Sequence, residues 1–289
     1  MNGLFRPHEY HRPNDLMEAA GILSRFGKKA RLIAGGTDLL VSKPPWVECL
    51  IDVENLDLNY IREGGNGIDI GSATTVDLIE GSAILSSGPY VVLREAAGQM
   101  ATPAVRNMAT IGGNICNASP AADLPLALMV LDSTVRVIGL GGSRTLPVGD
   151  FFEDVNKTSL NEDEMLLEIH IPPSSGTTSA SFMKLRHHQT SVDIAIINVA
   201  VRLTCSDNFC EDVRIALGAV AKKPIYAKKA EKLLTNRRLD GELIEKAGEA
   251  AAEESRPIDD IRASAGYRRR MVSILVKRAL EVCVGRCAT

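Results

Sequence analysis

A chain of 289 residues is long enough for two domains, and 45% hydrophobic residues is enough to build ordinary packed cores. With 33 basic against 36 acidic residues the net charge is −3, a balance that argues against nucleic acid or another polyanion as partner. No stretch approaches the ~18 uninterrupted apolar residues of a membrane span. The opening MNGLFRPHEYHRPND also lacks the apolar segment of a secretory signal, so a cytoplasmic address is expected.

In chain order, Leu16, Ala19, Ala20 and Leu23 fall at helical spacing over residues 15–26, with Asn14 or Asp15 as cap and Gly27 as terminator. Residues 30–33 are expected as a buried strand, followed by a glycine turn and a second strand over 49–53, which together make a small βαββ-like unit. Residues 61–71 have the pattern of a hairpin, because GGNG at 64–67 offers the positive φ angles of a tight turn. Helices are expected over 75–83 and 88–98, then a second glycine turn, a helix over 124–131 and a strand over 134–139. PPSSGTTSAS at 172–181 has the composition of a surface connection, and the main domain boundary is expected there. Beyond it, strands over 180–186, 195–205 and 210–220 precede helices over 227–234, 240–254 and 261–284. That order describes an α+β domain with an antiparallel sheet.

Cys49, Cys116, Cys205, Cys210, Cys283 and Cys287 include no CxxC pair, which favours free thiols over a disulfide framework, a zinc site or an iron–sulfur site. Cys283 and Cys287, four apart, fall on one helix face. His187 and His188 have no spaced partner for a metal or for a nucleophile and are expected at the surface or an interface. No metal ligand or catalytic side chain is predicted.

The two glycine pairs carry most of the information. One lies in RLIAGGTDLL (residues 31–40) and the other in TIGGNICNASPAADLPLAL (residues 110–128). A glycine pair before a small polar residue lets consecutive backbone N–H groups converge, since no Cβ blocks the turn or the approach of an anion. Two such turns point to a cofactor with two linked phosphates. An ordinary tight turn between strand and helix fits either motif in isolation.

In this order and separation the motifs resemble the FAD-binding medium subunit of the molybdenum hydroxylases, the family of xanthine dehydrogenase, aerobic carbon monoxide dehydrogenase and nicotinate dehydrogenase. EYHRPNDLMEAAGIL (residues 9–23), NEDEMLLEIHIPP (161–173), FMKLRHHQTSVDIAIINVAVRL (182–203), RIALGAVAKKP (214–224) and DDIRASAGYRRRMVSILVKRAL (259–280) extend the likeness over nearly the whole chain. The resemblance implies an α+β fold: a FAD-binding domain of the vanillyl-alcohol-oxidase type over residues 1–173, with subdomains at about 1–57 and 58–173, and a C-terminal domain over 179–289. It implies noncovalent FAD, a large partner subunit with molybdopterin, a small one with two [2Fe-2S] clusters, and a dimer of such heterotrimers. Electrons would pass through the flavin to NAD or another acceptor. A stand-alone flavoprotein oxidase or diaphorase is the alternative, followed by a nonredox nucleotide-binding module.

Carried onto this sequence, the likeness places Ala34, Gly35, Gly36, Thr37 and Asp38 around the pyrophosphate, with Leu32, Ile33 and Leu39 as cofactor-binding positions beside them. Backbone N–H groups and the Thr37 hydroxyl would donate, while Asp38 would bond to the turn itself. Thr110, Gly112, Gly113, Asn114, Cys116 and Asn117 match cofactor-contacting positions, and Ala122 and Asp123 lie toward the ribityl and phosphate region. The Cys116 thiol could equally be a small buried group, and Met100, which with Ala101 stands beside the cofactor, could equally be core. Leu166 and Lys184 complete the set. An ammonium at Lys184 beside the flavin pyrimidine would favour the anionic reduced form, and a solvated surface lysine is the alternative. Tyr267 and Arg268 would join helix to sheet or meet a partner subunit. The first motif reads AGGTDLL rather than the AGGHSLL type of the carbon monoxide dehydrogenase branch, which leans the expectation toward oxidation of a purine or another N-heterocycle.

Overall fold

The computed structural model describes residues 5–174, 177–187 and 193–287. The chain opens with β1 (Glu9–His11), α1 (Leu16–Phe26), β2 (Ala30–Ile33), α2 (Leu39–Ser42) and β3 (Cys49–Asp52). The Asp15 side chain caps α1 by accepting from Glu18 N–H, and Gly27 ends the helix at φ 51°. The three strands form a parallel sheet in the order β1-β3-β2. Ala19 and Leu23 of α1 pack with Cys49 and Ile51 of the central strand into one core. Against expectation, β2 is an edge strand with only Ala30 buried, so Leu32 and Ile33 stay half-covered beside the glycine turn.

The second unit runs through β4 (Ile61–Gly64), β5 (Gly67–Gly71), α3 (Val76–Gly81), α4 (Val91–Gly98), α5 (Pro103–Arg106), α6 (Ile111–Asn117) and α7 (Leu124–Val130). It continues with β6 (Thr134–Gly139), β7 (Gly142–Pro147), α8 (Val148–Phe151), β8 (Phe152–Asp154), β9 (Lys157–Thr158) and β10 (Met165–Ile171). The hairpin at 61–71 is present, with Gly67 at φ 123° in its turn. The main sheet here has the order β4-β5-β10-β6-β7. A bulge between Leu166 and Glu168 reverses the alternation of β10. Met165 and Leu167 therefore enter the first core, while Leu166, Ile169 and Ile171 enter the larger second core. One strand thus ties the two subdomains together.

The C-terminal unit comprises β11 (Thr178–Leu185), β12 (Ile197–Ser206), β13 (Phe209–Gly218), β14 (Ile225–Tyr226), α9 (Lys228–Leu234), β15 (Arg237–Arg238), α10 (Gly241–Glu254) and α11 (Ala265–Cys287). Strands β11 to β14 form an antiparallel sheet, with β15 paired to β13. On one face Val199, Val201, Leu203, Ile215 and Leu217 pack with α9, α10 and α11. On the other face Ala180, Phe182, Ala200 and Ala216 join the core of the second unit. Small side chains there admit α4 and α7, and all seven residues of α7 are buried.

Two expectations need correction. The second glycine pair does not sit in a turn after a strand; Gly112 and Gly113 lie in the first turn of α6. The predicted helix over 261–284 begins only at Ala265, because the Asp260 side chain accepts from Arg262 N–H and Ala263 N–H and holds that stretch as a turn. Among the described residues no helix is long and apolar enough to cross a membrane.

Candidate functional site

The fold brings the two glycine motifs into contact. A Cβ on Gly35 would lie 1.8 Å from the Met108 carbonyl oxygen, so only glycine allows the first turn to meet the chain that enters the second motif. Gly36 takes φ +67°, and Leu40 N–H returns to its carbonyl at 2.9 Å. Among the described residues no acceptor takes the N–H groups of Gly35, Gly36, Thr37, Asp38 and Leu39. Successive free amides beside a glycine at positive φ form an anion-binding concavity. Asp38 makes no capping bond through its side chain, contrary to expectation, and desolvation raises its carboxyl above the usual range.

The second motif works differently. Its leading amides are all engaged: Ile111 N–H with Thr74 O at 2.9 Å, Gly112 N–H with Ser72 O at 2.8 Å, Gly113 N–H with Thr110 Oγ at 3.0 Å and Asn114 N–H with Thr110 O at 3.0 Å. Gly112 is needed for closeness, since its Cβ would stand 2.5 Å from Ser72 O. Gly113 is exposed, and a Cβ there would meet only Thr110 Oγ at 3.0 Å. What this motif offers a ligand is open space above Gly113 and the Asn114 side chain, whose buried Oδ1 has no hydrogen-bond partner among the described residues. Asn117 is half-buried, and burial pushes the Cys116 thiol up to about 12, which suits an inert small group rather than a nucleophile.

Met100 and Ala101 follow the end of α4, with Ala101 at φ +40°. Arg106 holds that bend by donating to the Met100 and Ala101 carbonyls at 2.9 and 3.1 Å. Met100 packs partly against the large core, and Leu166 is 3% exposed within it. Lys184 is no surface lysine. Its side chain is 3% exposed, its Nζ lies 2.6 Å from Asp123 Oδ2, and it donates to Gln99 O at 3.2 Å. Burial raises the Asp123 carboxyl, and the Lys184 ammonium with the Asn198 amide opposes that rise. Asn198, Gln99 and Met108 escaped the sequence reading, because each acts through a contact that only the folded register creates. His187 is exposed, and His188 lies outside the described residues. Arg268 is 2% exposed and bonds Asp260 and the Ala219 carbonyl, so it joins α11 to the end of the sheet.

Comparison with known proteins shows the family to which the chain belongs. Residues 5–174 match the family described as FAD binding domain in molybdopterin dehydrogenase, and residues 180–282 match the CO dehydrogenase flavoprotein C-terminal domain. The chain belongs to this family. It is a FAD-binding medium subunit of the molybdenum hydroxylase type, an oxidoreductase subunit. It is 34% identical over 288 residues to the carbon monoxide dehydrogenase medium chain of Hydrogenophaga pseudoflava, covering 97% of this chain and 98% of that one. To the xanthine dehydrogenase FAD-binding subunit of Escherichia coli O157:H7 it is 31% identical, with 95% of each covered. The structure of carbon monoxide dehydrogenase from H. pseudoflava lacking the Mo-pyranopterin moiety superposes with a TM-score of 0.93 at 33% identity, over 98% of this chain and 99% of that one. Identities this close do not separate the branches, so the lean toward a heterocycle rests on the AGGTDLL motif alone. The free amides of the first turn and the unpartnered Asn114 Oδ1 fit a nucleotide cofactor with a linked diphosphate.

Proposed function

We propose that this subunit holds FAD between its two N-terminal subdomains and serves the electron-transfer step of a complex that oxidises a purine or another N-heterocycle. The observation that carries the reading is the first turn, where among the described residues no protein acceptor takes the amides at 35–39 beside a glycine at φ +67°. When bound, FAD supplies the redox chemistry, taking electrons from [2Fe-2S] clusters of a small partner subunit and passing them to NAD or another acceptor. Substrate hydroxylation falls to a large subunit carrying molybdopterin, and a dimer of such heterotrimers is the assembly we envisage.

In this reading residues 34–38 surround the pyrophosphate, with Thr37 adding a hydroxyl donor and Leu32, Ile33 and Leu39 flanking the cofactor. Thr110 shapes the second motif by capping α6 rather than by touching phosphate. Gly113 leaves the cofactor room, Asn114 and Asn117 hydrogen-bond it, and Met100, Ala101, Ala122, Cys116 and Leu166 supply walls. Lys184 and Asp123 enter as a neutralised pair, so the charge near the flavin is smaller than a lone ammonium would give. Domain limits of 1–173 and 179–289 belong to the same proposal, supported by the separate cores of the first two subdomains and of the outer face of the C-terminal sheet. Six free cysteines support a reducing, cytoplasmic address.

The test is an absorption spectrum of the chain isolated from its own host, with flavin, iron and molybdenum quantified. About one FAD per chain together with iron and molybdenum in co-eluting subunits is expected. FAD without those partners would favour a stand-alone flavoenzyme, and absence of flavin after added FAD would overturn the reading.

A further inference from the structure

Lys184, Asn198 and Gly218 stand directly opposite one another on β11, β12 and β13, so they form a single row across the C-terminal sheet. The row meets the segment between α6 and α7 of the flavin domain, and Lys184 also donates to Gln99 O at 3.2 Å. Lys184 Nζ lies 2.6 Å from Asp123 Oδ2. Asn198 Nδ2 donates to Asp123 Oδ1 at 2.7 Å and to the Ala122 carbonyl at 3.1 Å. One residue past Gly218, Ala219 N–H donates to the Pro120 carbonyl at 2.7 Å.

The flavin domain holds the segment at its first residue, where Asn156 N–H donates to the carbonyl of the buried Ala118 at 3.0 Å, and offers little along the rest of it. The segment starts at Ala118, a left-handed residue at φ +48°, and its internal bonds are Ala122 N–H to Ser119 O at 3.1 Å and Ala121 N–H to Ser119 Oγ at 3.4 Å. Asn198 is fully buried. Gly218 makes room for it, since a Cβ there would stand 2.2 Å from Asn198 Oδ1. Docking of the two domains does not depend on this row. Arg286 with Glu95 at 2.6 Å, Tyr226 Oη with Met129 O at 3.0 Å and Lys223 Nζ with Phe152 O at 2.6 Å join them elsewhere. Among the described residues, what Asn198 alone bridges is the Ala122 carbonyl and the Asp123 carboxylate, at the joint between α6, which carries Asn114 and Asn117, and α7.

We infer that Asn198, in the space left by Gly218, is a positioning residue for FAD. It acts through the 118–123 segment, which sets the placement of α6 and of the Lys184–Asp123 pair, and it makes flavin retention depend on the C-terminal domain. The inference rests on the FAD site proposed above.

The test uses the full chain isolated from its host, stripped of flavin and titrated with FAD, as Asn198→Ala, Gly218→Ala and the control Val201→Ala. Val201 lies on the opposite face of the same strand, so its truncation lowers stability without touching the row. At a temperature where far-UV circular dichroism shows each variant folded, Asn198→Ala and Gly218→Ala are expected to raise the FAD dissociation constant by about ten- to a hundred-fold. They are also expected to change the visible circular dichroism of bound flavin, while Val201→Ala matches the wild type in both. Gly218→Ala keeps every donor and displaces the amide, so it decides the matter where Asn198→Ala does not fold. Wild-type affinity and flavin dichroism in the row variants would overturn the inference and leave Asn198 a packing residue. A wild-type chain that binds no FAD would overturn the site reading and this inference with it.

Discussion

Glycines at 35, 36, 112 and 113 look alike in the sequence, yet each is required for a different reason. Gly35 and Gly112 are there for closeness, with backbone oxygens 1.8 and 2.5 Å from where a Cβ would be; Gly36 provides a positive φ, and Gly113 leaves room on an exposed surface. The sequence revealed that small residues were needed at these positions, but the neighbours Met108 and Ser72 are distant in the chain and invisible to a local motif. Gly35→Ala should therefore lose FAD and stability together, since a backbone carbonyl cannot move aside cheaply; a penalty of roughly 1–3 kcal/mol or more is expected in urea unfolding. Gly113→Ala should unfold within about 1 kcal/mol of the wild type, because helix propensity favours alanine, yet bind FAD more weakly by equilibrium titration. Equal behaviour of the two variants would contradict the division of roles.

At the scale of elements, periodicity located α1, α10 and the three long strands, because each buries a regular stripe or face, while α7 showed as a short run that is apolar all round. It missed α6, whose IGGNICN carries two glycines with poor helix propensity; the helix forms because Ser72 and Thr74 accept its leading amides and Thr110 caps it. The row Lys184, Asn198, Gly218 was illegible for a related reason, since register joins residues that lie 14 and 20 positions apart. The start of α11 depends on charge. Arg262 and the buried Arg268 hold the Asp260 carboxyl well below its usual range, so at a pH near about 3.9 Asp260 stays ionised in the folded chain while it would be about half-protonated unfolded. A depressed carboxylate contributes its full stability above its unfolded value of about 3.9 and loses it as pH falls below that. Asp260→Asn should cost on the order of 3 kcal/mol at neutral pH by leaving Arg268 buried without its counter-ion, and should show a shallower loss of stability between about pH 4 and 2 than the wild type. Urea midpoints across that range would reveal it, and parallel curves for the two proteins would refute it.

The whole molecule is held together by a core that ignores domain limits. Composition and the change of texture near residue 172 suggested two separable domains, and the sequence held no sign that one sheet face belongs to the other domain's core. Ala180, Ala200 and Ala216 are small because α4 and α7 rest on them, and Arg202 and Arg214 on the same face pair with Asp132 at 2.9 and 3.1 Å. A shared core couples the free energies of the two parts, so the chain should unfold in urea as one transition, with fluorescence of Trp46 in the first subdomain and far-UV dichroism of the whole chain coinciding. Ala200→Leu puts three extra carbons between the sheet and α7, where packing leaves no room, and should lower stability by about 1–3 kcal/mol. Because the insertion wedges the domains apart, it should also split the coincident curves, with far-UV dichroism departing from the Trp46 signal. Curves that stay superimposed after a loss of that size would mean that the core absorbs the side chain locally and that the domains are coupled through their polar contacts instead.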